Sequence, residues 1–204
     1  MNRRKLLCNE RVAEARADRG VNFGSEIKTI EHYGLFLKAT TSVSGTGEGI
    51  ILPPLDRRID HEVEVCVVIG KECHRISEDR SMDHVFGYCI GLDMSVRGTE
   101  DRSWRKSYDT FTILGPWIVT ADEISDPANL DLAIEVNGER RQASNTSALI
   151  FDIPKLISYA SHGYRLYPGD VIMTGTPEGV GPVRTGDILK STVSHLGEMT
   201  TLVH

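Results

Sequence analysis

The segment 60–70 constrains the fold of this chain more than any other. It is rich in β-branched residues, ends in the apolar run Val67-Val68-Ile69, and is closed by Gly70. β-Branched side chains fit a pleated strand, and a continuous apolar run is typical of a strand that is covered on both faces. The sequence therefore predicts a core strand here.

Short strands outnumber helices in the rest of the sequence. Asn137-Gly138, between alternating apolar residues, indicates a hairpin, and Asp152 with Pro154 marks the start of a helix. Because strands and helices do not alternate as βαβ units, we expect an α+β or mainly β core. Strands are predicted at 35–38, 88–92, 118–120, Val171–Met173, Ile188–Val193 and 198–203, a loop at 40–49, and helices at 3–19, 77–87 and 152–162.

The composition limits the classes of partner. The chain has 204 residues, a length that favours one domain, and a formal net charge of −6. No basic block stands out, which argues against nucleic acid and anionic membranes as partners. No apolar run is long enough to span a membrane. The four cysteines have no zinc-like spacing, and Cys66 and Cys89 lie in apolar strands as expected of reduced core thiols, so we expect a cytoplasmic protein.

Three carboxylates lie at the ends of predicted strands. Glu62 and Glu64 are two residues apart, so both side chains point to the same face of the strand, and Asp93 follows the next strand. A solvated pair at the sheet edge is one interpretation of the glutamates. The alternative is a hard divalent cation, Mg²⁺ or Mn²⁺, because oxygen ligands suit both ions and unpaired buried carboxylates are costly.

Residues suited to anion binding lie in two further segments. In the glycine-rich run that begins Thr174-Gly175-Thr176, backbone N–H groups and hydroxyls could hold an oxyanion, although a tight turn between strands is the alternative. It lacks the ending of a P-loop. Arg97 could clamp a carboxylate and Lys106 could act as a point charge, while a solvated surface role is the alternative for each.

Taken in order, these motifs resemble those of the fumarylacetoacetate hydrolase family. No single motif is specific, whereas the ordered set, which spans about residues 35–203, is. The main matching stretches are Asp60-His61-Glu62-Val63-Glu64, Gly87-Tyr88 through Asp93-Met94-Ser95-Val96-Arg97, Lys106-Ser107-Tyr108-Asp109-Thr110-Phe111, Leu114-Gly115-Pro116-Trp117, Val136-Asn137-Gly138-Glu139, and Pro168-Gly169-Asp170 with the glycine-rich run.

The resemblance implies a fold and a chemistry. It implies an α+β fold, a mixed β-sheet rolled into a sandwich-like roll with few short helices, and, as is usual in the family, a homodimer. Members of the family act on small oxo-acids or diketones, which they hydrolyse at a C–C bond, decarboxylate, isomerise or hydrate through a metal-bound enolate, and we expect such a substrate here. Glu62, Glu64 and Asp93 would hold the metal, and Arg97, Lys106 and Thr176, together with the backbone at Gly175, would contact the substrate.

The N-terminal segment departs from the family pattern. Many members carry Asn-Tyr-x-x-His-x-x-Glu, whose His and Glu form a catalytic lid dyad. Here Asn22-Phe23 begins the nearest match, and Glu26 stands at the His position. His32, which follows a Glu, could replace the dyad in reversed order. Candidate catalytic residues are therefore Glu26, His32 and Lys106.

The sequence thus predicts two regions and a ranked set of functions. Residues 1–34 would form an N-terminal helix and a lid segment, and residues 35–204 a single catalytic domain. The leading function is a metal-dependent hydrolase of C–C bonds in a 1,3-dicarbonyl or acylpyruvate-type oxo-acid. The alternatives are an isomerase, decarboxylase or hydratase on a similar substrate, or a metal-binding member with little catalysis.

Overall fold

Strands dominate the part of the chain that the computed structural model describes, residues 6–8 and 34–204. The α-helices in these ranges are α1 (Glu78–Ser81), α2 (Arg102–Arg105) and α3 (Ile153–Gly163). The strands are β1 (Leu6–Cys8), β2 (Phe36–Lys38), β3 (Val43–Ser44), β4 (Ile59–His61), β5 (Val63–Ile69), β6 (Val85–Asp93), β7 (Ser95–Val96), β8 (Thr112–Thr120), β9 (Asp131–Val136), β10 (Glu139–Asn145), β11 (Val171–Met173), β12 (Gly181–Pro182), β13 (Ile188–Val193) and β14 (Gly197–Leu202).

The described strands form three sheets. The largest has the order β2-β1-β11-β5-β6-β8-β3, the second β10-β9-β13-β14, and the smallest β12-β4-β7. β1 runs parallel to β11 and β3 parallel to β8, whereas the other paired strands are antiparallel. The predicted α+β fold, a curled mixed sheet with few short helices, is confirmed.

β5 is the central strand of the largest sheet, and both of its faces are buried. Val63, Val65 and Val67 belong to the main apolar core, which β9, β13 and α3 also line. Cys66 and Val68 face the other way, into a smaller apolar cluster with Cys89 and Met173. The predicted strand is confirmed over Val63–Ile69, where both faces are covered, but it is wrong before that, because Ile59–His61 pairs in a different sheet as β4 and Glu62 lies between the two strands. Side-chain alternation on β5 sends Glu64 to the same face as Cys66.

Two predicted helices differ from the structure because sheet pairing outweighs local helix propensity. The helix at 3–19 is wrong at Leu6–Cys8, whose backbone forms β1 between β11 and β2; the rest of that prediction lies outside the described residues. The helix at 77–87 is wrong beyond Ser81. Residues Met82–His84 form a 3-10 turn, and Val85 already pairs with Ile69 on β5.

Two further local predictions, a helix cap and a hairpin turn, are confirmed. Asp152 caps α3, since its Oδ1 accepts from the amide of Lys155 at 2.9 Å. Asn137 and Gly138 have φ of 53° and 81°, the signs that a type I′ hairpin turn requires, and join β9 to β10. The predicted loop at 40–49 is wrong at Val43–Ser44, because the backbone there pairs with Thr112 and Ile113 of β8 and forms the short strand β3. In the described part of the chain, no helix is both long and apolar enough to cross a membrane.

Candidate metal centre and active site

The three predicted carboxylates converge at one end of β5 and β6. Glu62 lies between β4 and β5, Glu64 is the second residue of β5, and Asp93 ends β6, with its amide bound to the carbonyl of Glu62 at 2.9 Å. All three are buried, and one oxygen from each lies within 4.8 Å of those of the other two. The structure thus brings together residues that are up to about thirty positions apart in the sequence.

Each carboxylate has one oxygen held by a separate group. The amide of Gly175 donates to Glu64 Oε2 at 2.6 Å. Arg97 Nη2 lies 3.1 Å from Glu62 Oε1. The ammonium of Lys38 donates to Asp93 Oδ1 and also, at 2.8 Å, to the carbonyl of Phe111. These contacts fix the orientation of all three carboxylates.

The second oxygens of the carboxylates are bound differently. Lys106 Nζ lies 2.6 Å from Glu62 Oε2 and 2.9 Å from Asp93 Oδ2, and all three side chains are about 1% exposed. Glu64 Oε1 is buried and has no hydrogen-bond partner among the described residues. An unpartnered buried carboxylate oxygen is costly, and a cation would relieve that cost.

The surroundings shift the pKa values of Glu64 and Asp93 in opposite directions. Burial, together with the charges of Asp93 and Glu62, raises the pKa of Glu64 well above its usual value. Burial also raises the pKa of Asp93, but the ammonium groups of Lys106 and Lys38 outweigh it, so that the net pKa shift of Asp93 is downward. The site therefore stabilises the ionised form of Asp93, whereas burial and two neighbouring carboxylates oppose the ionisation of Glu64.

The glycine-rich run packs directly on the carboxylate strand. After β11, Thr174 donates its backbone N–H to Val65 O at 3.1 Å, and Thr176 Oγ1 donates to Val63 O at 2.8 Å. Gly175 lies between them with its N–H on Glu64. The structure therefore places the predicted Gly175 and Thr176 beside the carboxylates, although Gly175 uses its amide on a protein group.

The predicted cations also lie at this site. Arg97 binds Asp60 Oδ2 through Nε at 2.6 Å, in addition to its contact with Glu62. Lys106 follows α2 and contacts both Glu62 and Asp93. The solvated surface role is thus wrong for Arg97 and Lys106, because both side chains are engaged with buried carboxylates. Glu26 and His32 lie outside the described residues.

Three residues of the site were missed by sequence reasoning. Lys38 binds Asp93, Asp60 binds Arg97, and Gln142 binds the backbone of Val63 at 3.2 Å. For Asp60 the signal was its place beside Glu62 in the same motif. Lys38 and Gln142 lie in segments that are typical of an ordinary short strand and a polar hairpin arm, so nothing local marked them.

The residues present fit a hard divalent cation. The donor set is three carboxylates, and Glu64 Oε1 is buried without a hydrogen-bond partner among the described residues. Mg²⁺ and Mn²⁺ prefer carboxylate oxygens. Zinc favours His and Cys ligands, and among the described residues neither type belongs to the cluster. The fold and this site together define a protein with a mixed sheet and a buried acidic centre suited to a divalent cation.

Comparisons with known proteins agree with this class. The family described as fumarylacetoacetate (FAA) hydrolase C-terminal matches residues 7–204. A maleylpyruvate hydrolase of Aquipseudomonas alcaligenes is 51% identical over 192 residues, which are 93% of this chain and 67% of that protein. The chain therefore belongs to the fumarylacetoacetate hydrolase family, as its ordered motifs predict.

Solved structures add a metal complex and a second reaction. The maleylpyruvate hydrolase from Sphingobium sp. SYK-6, in complex with manganese (II) ion and pyruvate, matches with a TM-score of 0.83 at 41% identity, over 98% of this chain and 69% of that one. A 5-carboxymethyl-2-hydroxymuconate delta-isomerase from Mycobacterium smegmatis matches with a TM-score of 0.82 at 37% identity, over 98% and 78%. The relatives thus include named hydrolases and isomerases.

Proposed function

We propose that this protein is a divalent-metal-dependent hydrolase that cleaves a carbon–carbon bond in a small 1,3-dicarbonyl or acylpyruvate-type oxo-acid. The observation that carries the proposal is the cluster of Glu62, Glu64 and Asp93, in which each carboxylate is oriented by its own partner. The names of the relatives support the substrate class, since maleylpyruvate is an acylpyruvate and pyruvate is bound in one of the solved structures.

The chain's own residues would act as follows. Glu62, Glu64 and Asp93 would hold Mg²⁺ or Mn²⁺, and a bound ion of this type supplies Lewis acidity toward carbonyl oxygens. Arg97 and Lys106 would bind substrate carboxylate or carbonyl oxygens, because guanidinium and ammonium groups recognise such oxygens. Thr176 and the backbone at Gly175 would line the same site.

The hydrolytic step also needs a base that activates water. We assign that role to Glu26, with His32 as the alternative, and a positioned base of this kind contributes about 10²–10⁴-fold to the rate. Glu26→Gln is the direct variant, and an unchanged rate would remove Glu26 from the mechanism. If the base were absent, the same site would instead favour isomerisation or decarboxylation, and the match to a delta-isomerase supports isomerase activity as the second candidate.

We further propose that the protein is a cytoplasmic homodimer. Buried thiols at Cys66, Cys73 and Cys89 support a reducing compartment. The homodimer rests on the family resemblance. Light scattering coupled to gel filtration tests it, and we expect twice the chain mass of 22.6 kDa. A peak at the single-chain mass at micromolar concentration would contradict the homodimer.

The decisive experiment is a substrate panel with controlled metal. Purified protein is stripped with chelator, supplied with Mn²⁺, Mg²⁺ or neither, and incubated with maleylpyruvate, other acylpyruvates, oxaloacetate and 1,3-diketones. We expect metal-dependent release of pyruvate and a second acid from an acylpyruvate. Release of CO₂, or an isomer with no cleavage, would move the assignment to decarboxylase or isomerase.

Site variants connect this activity to the carboxylates. We expect Glu62→Gln and Asp93→Asn to lower metal-dependent turnover by more than about 100-fold, since even residues outside the ligand set cost about 10–100-fold. Asp83→Asn is the matched control, because Asp83 is an exposed carboxylate paired with Arg80 away from the site. Turnover that survives in both site variants would contradict the proposed metal centre.

A further inference from the structure

Gln142 lies on β10, in a different sheet from the carboxylates, yet its side chain reaches the site. We propose that Gln142 is a positioning residue, which fixes the metal-ligand strand and the glycine-rich run relative to each other. The inference rests on the proposed function, because it assigns Gln142 a role in holding the geometry of the proposed metal ligands.

A β-bulge directs this side chain inward. On β10, Arg140 pairs with Glu135 and Gln142 pairs with the next residue of β9, Ile134, so Arg141 is an extra residue in the ladder. A bulge re-aims the side chains that follow it, and bulges are common beside active sites. The exposed Arg141 and Ala143 flank Gln142, which is only 1% exposed.

The glycine-rich run approaches the bulge closely. Gly179 has φ of +97°, and a Cβ built there would lie 2.1 Å from the carbonyl oxygen of Arg141 and 3.4 Å from Cγ of Gln142. Only glycine allows this approach without a shift of backbone. The bulge and the run are therefore shaped to each other.

The amide of Gln142 makes four hydrogen bonds, two from each end. Oε1 accepts from the N–H of Val63 at 3.2 Å and lies 3.1 Å from His61 Nδ1. Nε2 donates to Thr176 Oγ1 at 2.8 Å and to Pro177 O at 2.6 Å. This uses the full capacity of a buried amide.

These four partners lie in two segments, the one that carries Glu62 and Glu64 and the glycine-rich run. His61 and Val63 are the immediate neighbours of Glu62, and Thr176 follows Gly175, whose amide holds Glu64. One side chain thus connects the segment that carries two carboxylates to the run that orients one of them. Residues outside the ligand set that orient ligands commonly contribute about 10–100-fold to metal affinity.

The same network specifies the tautomer of His61. The N–H of Val63 can only donate and Pro177 O can only accept, so the orientation of the amide is fixed, with Oε1 toward His61. His61 Nδ1 must then carry the proton. Its Nε2 is buried with no hydrogen-bond partner among the described residues, so a proton there would have no acceptor among them. A proton on Nδ1 of His61, with none on Nε2, is therefore the observable sign of the hydrogen bonds that the Gln142 amide makes.

The first test compares Gln142→Met with Thr146→Val. Met has a similar length and no charge, and it removes all four bonds. Thr146 is a buried residue just beyond β10 whose hydroxyl bonds Leu130 N at 2.8 Å and Pro127 O at 2.9 Å, away from the carboxylates. We expect Gln142→Met to weaken Mn²⁺ binding by about 10–100-fold, measured from free Mn²⁺ by electron paramagnetic resonance. Thr146→Val should lose thermal stability while its Mn²⁺ affinity is unchanged.

The second test needs no folded variant of Gln142. Long-range ¹H–¹⁵N spectra of the wild-type protein at mildly alkaline pH, with His61 assigned by loss of its signals in His61→Asn, should show a protonated Nδ1 and an unprotonated Nε2. A proton on Nε2 would overturn the Gln142 arrangement, as would unchanged Mn²⁺ affinity in Gln142→Met or an equal loss in both variants. A wild-type protein that binds no Mn²⁺ would overturn the proposed function itself, and with it this inference, while the tautomer would still report the network.

Discussion

At the residue scale, the ionised form of Glu64 that the proposed metal centre needs lowers the stability of the metal-free protein. Oε2 accepts from Gly175, Oε1 has no partner in the described part of the chain, and burial with two neighbouring carboxylates raises its pKa. Because the pKa of Glu64 is higher in the folded than in the unfolded state, protonated Glu64 contributes to the free energy of unfolding. This contribution is complete below the unfolded-state pKa, about 4.3, and is lost as the pH rises through the folded-state pKa. Ionised Glu64 therefore destabilises the metal-free fold.

We expect Glu64→Gln to remove this pH-dependent loss. In chelator, the melting temperature of the variant should exceed that of the wild type by a margin that grows as the pH rises above the unfolded-state pKa of about 4.3, because only the wild type must ionise the buried side chain at position 64. Each kcal/mol corresponds to about 2–4 °C in a protein of this size. Added Mn²⁺ should stabilise the wild type and not the variant. A margin that shrinks with rising pH would contradict the sign of the Glu64 pKa shift.

At the element scale, the β9–β10 turn needs glycine for its backbone conformation alone, whereas the glycine-rich run needs it for close packing as well. Gly138 has φ of +81°, and a Cβ added there would meet nothing within 4 Å, whereas at Gly179, with φ of +97°, the same atom would meet Arg141 O at 2.1 Å. Gly138→Ala should therefore cost only the backbone strain of about 1–2 kcal/mol. Gly179→Ala adds a steric clash of about 1–3 kcal/mol.

The two alanine variants should also differ in activity. Gly179→Ala should lower kcat/KM by up to about 100-fold, since displacement of Thr176 and Gly175 by an ångström can cost that much. Gly138→Ala should lower the free energy of unfolding and leave kcat/KM unchanged. Urea unfolding and steady-state kinetics on both proteins provide the measurements. Equal activity in the two variants would mean that the run and the bulge can move apart without disturbing the site.

The same elements show what the sequence could and could not predict. Glu62, Glu64 and Asp93 were predictable, because a period of two and a strand end place them on one face. One partner of Asp93 was not predictable, since Lys38 is 55 residues away and meets it only through the order of strands in the sheet. Gln142 was hidden for a different reason: its inward direction depends on the bulge at Arg141, and a polar hairpin arm gives no sign of one.

At the scale of the whole molecule, the site lies where the three sheets meet. β5, β6 and β11 belong to the largest sheet, β4 and β7 to the smallest, and Gln142 connects the site to the sheet of β9 and β10. Lys38 brings in β2 at the edge of the largest sheet. A ligand bound at such a junction stabilises all three sheets together, because opening any one of them disturbs its binding site.

We therefore expect Mn²⁺ to stabilise the fold as one unit. At about 100 times its dissociation constant a ligand contributes about 2.7 kcal/mol, which corresponds to roughly 5–11 °C in the melting temperature of a protein of this size. Hydrogen exchange should slow in β9 and β10 as well as in β5 and β6. Asp93→Asn should abolish both effects, and Asp83→Asn, which changes an exposed carboxylate, should retain them. Protection confined to the amides next to the carboxylates would show that the sheets open independently. The junction would then position the carboxylates without coupling the stability of the three sheets.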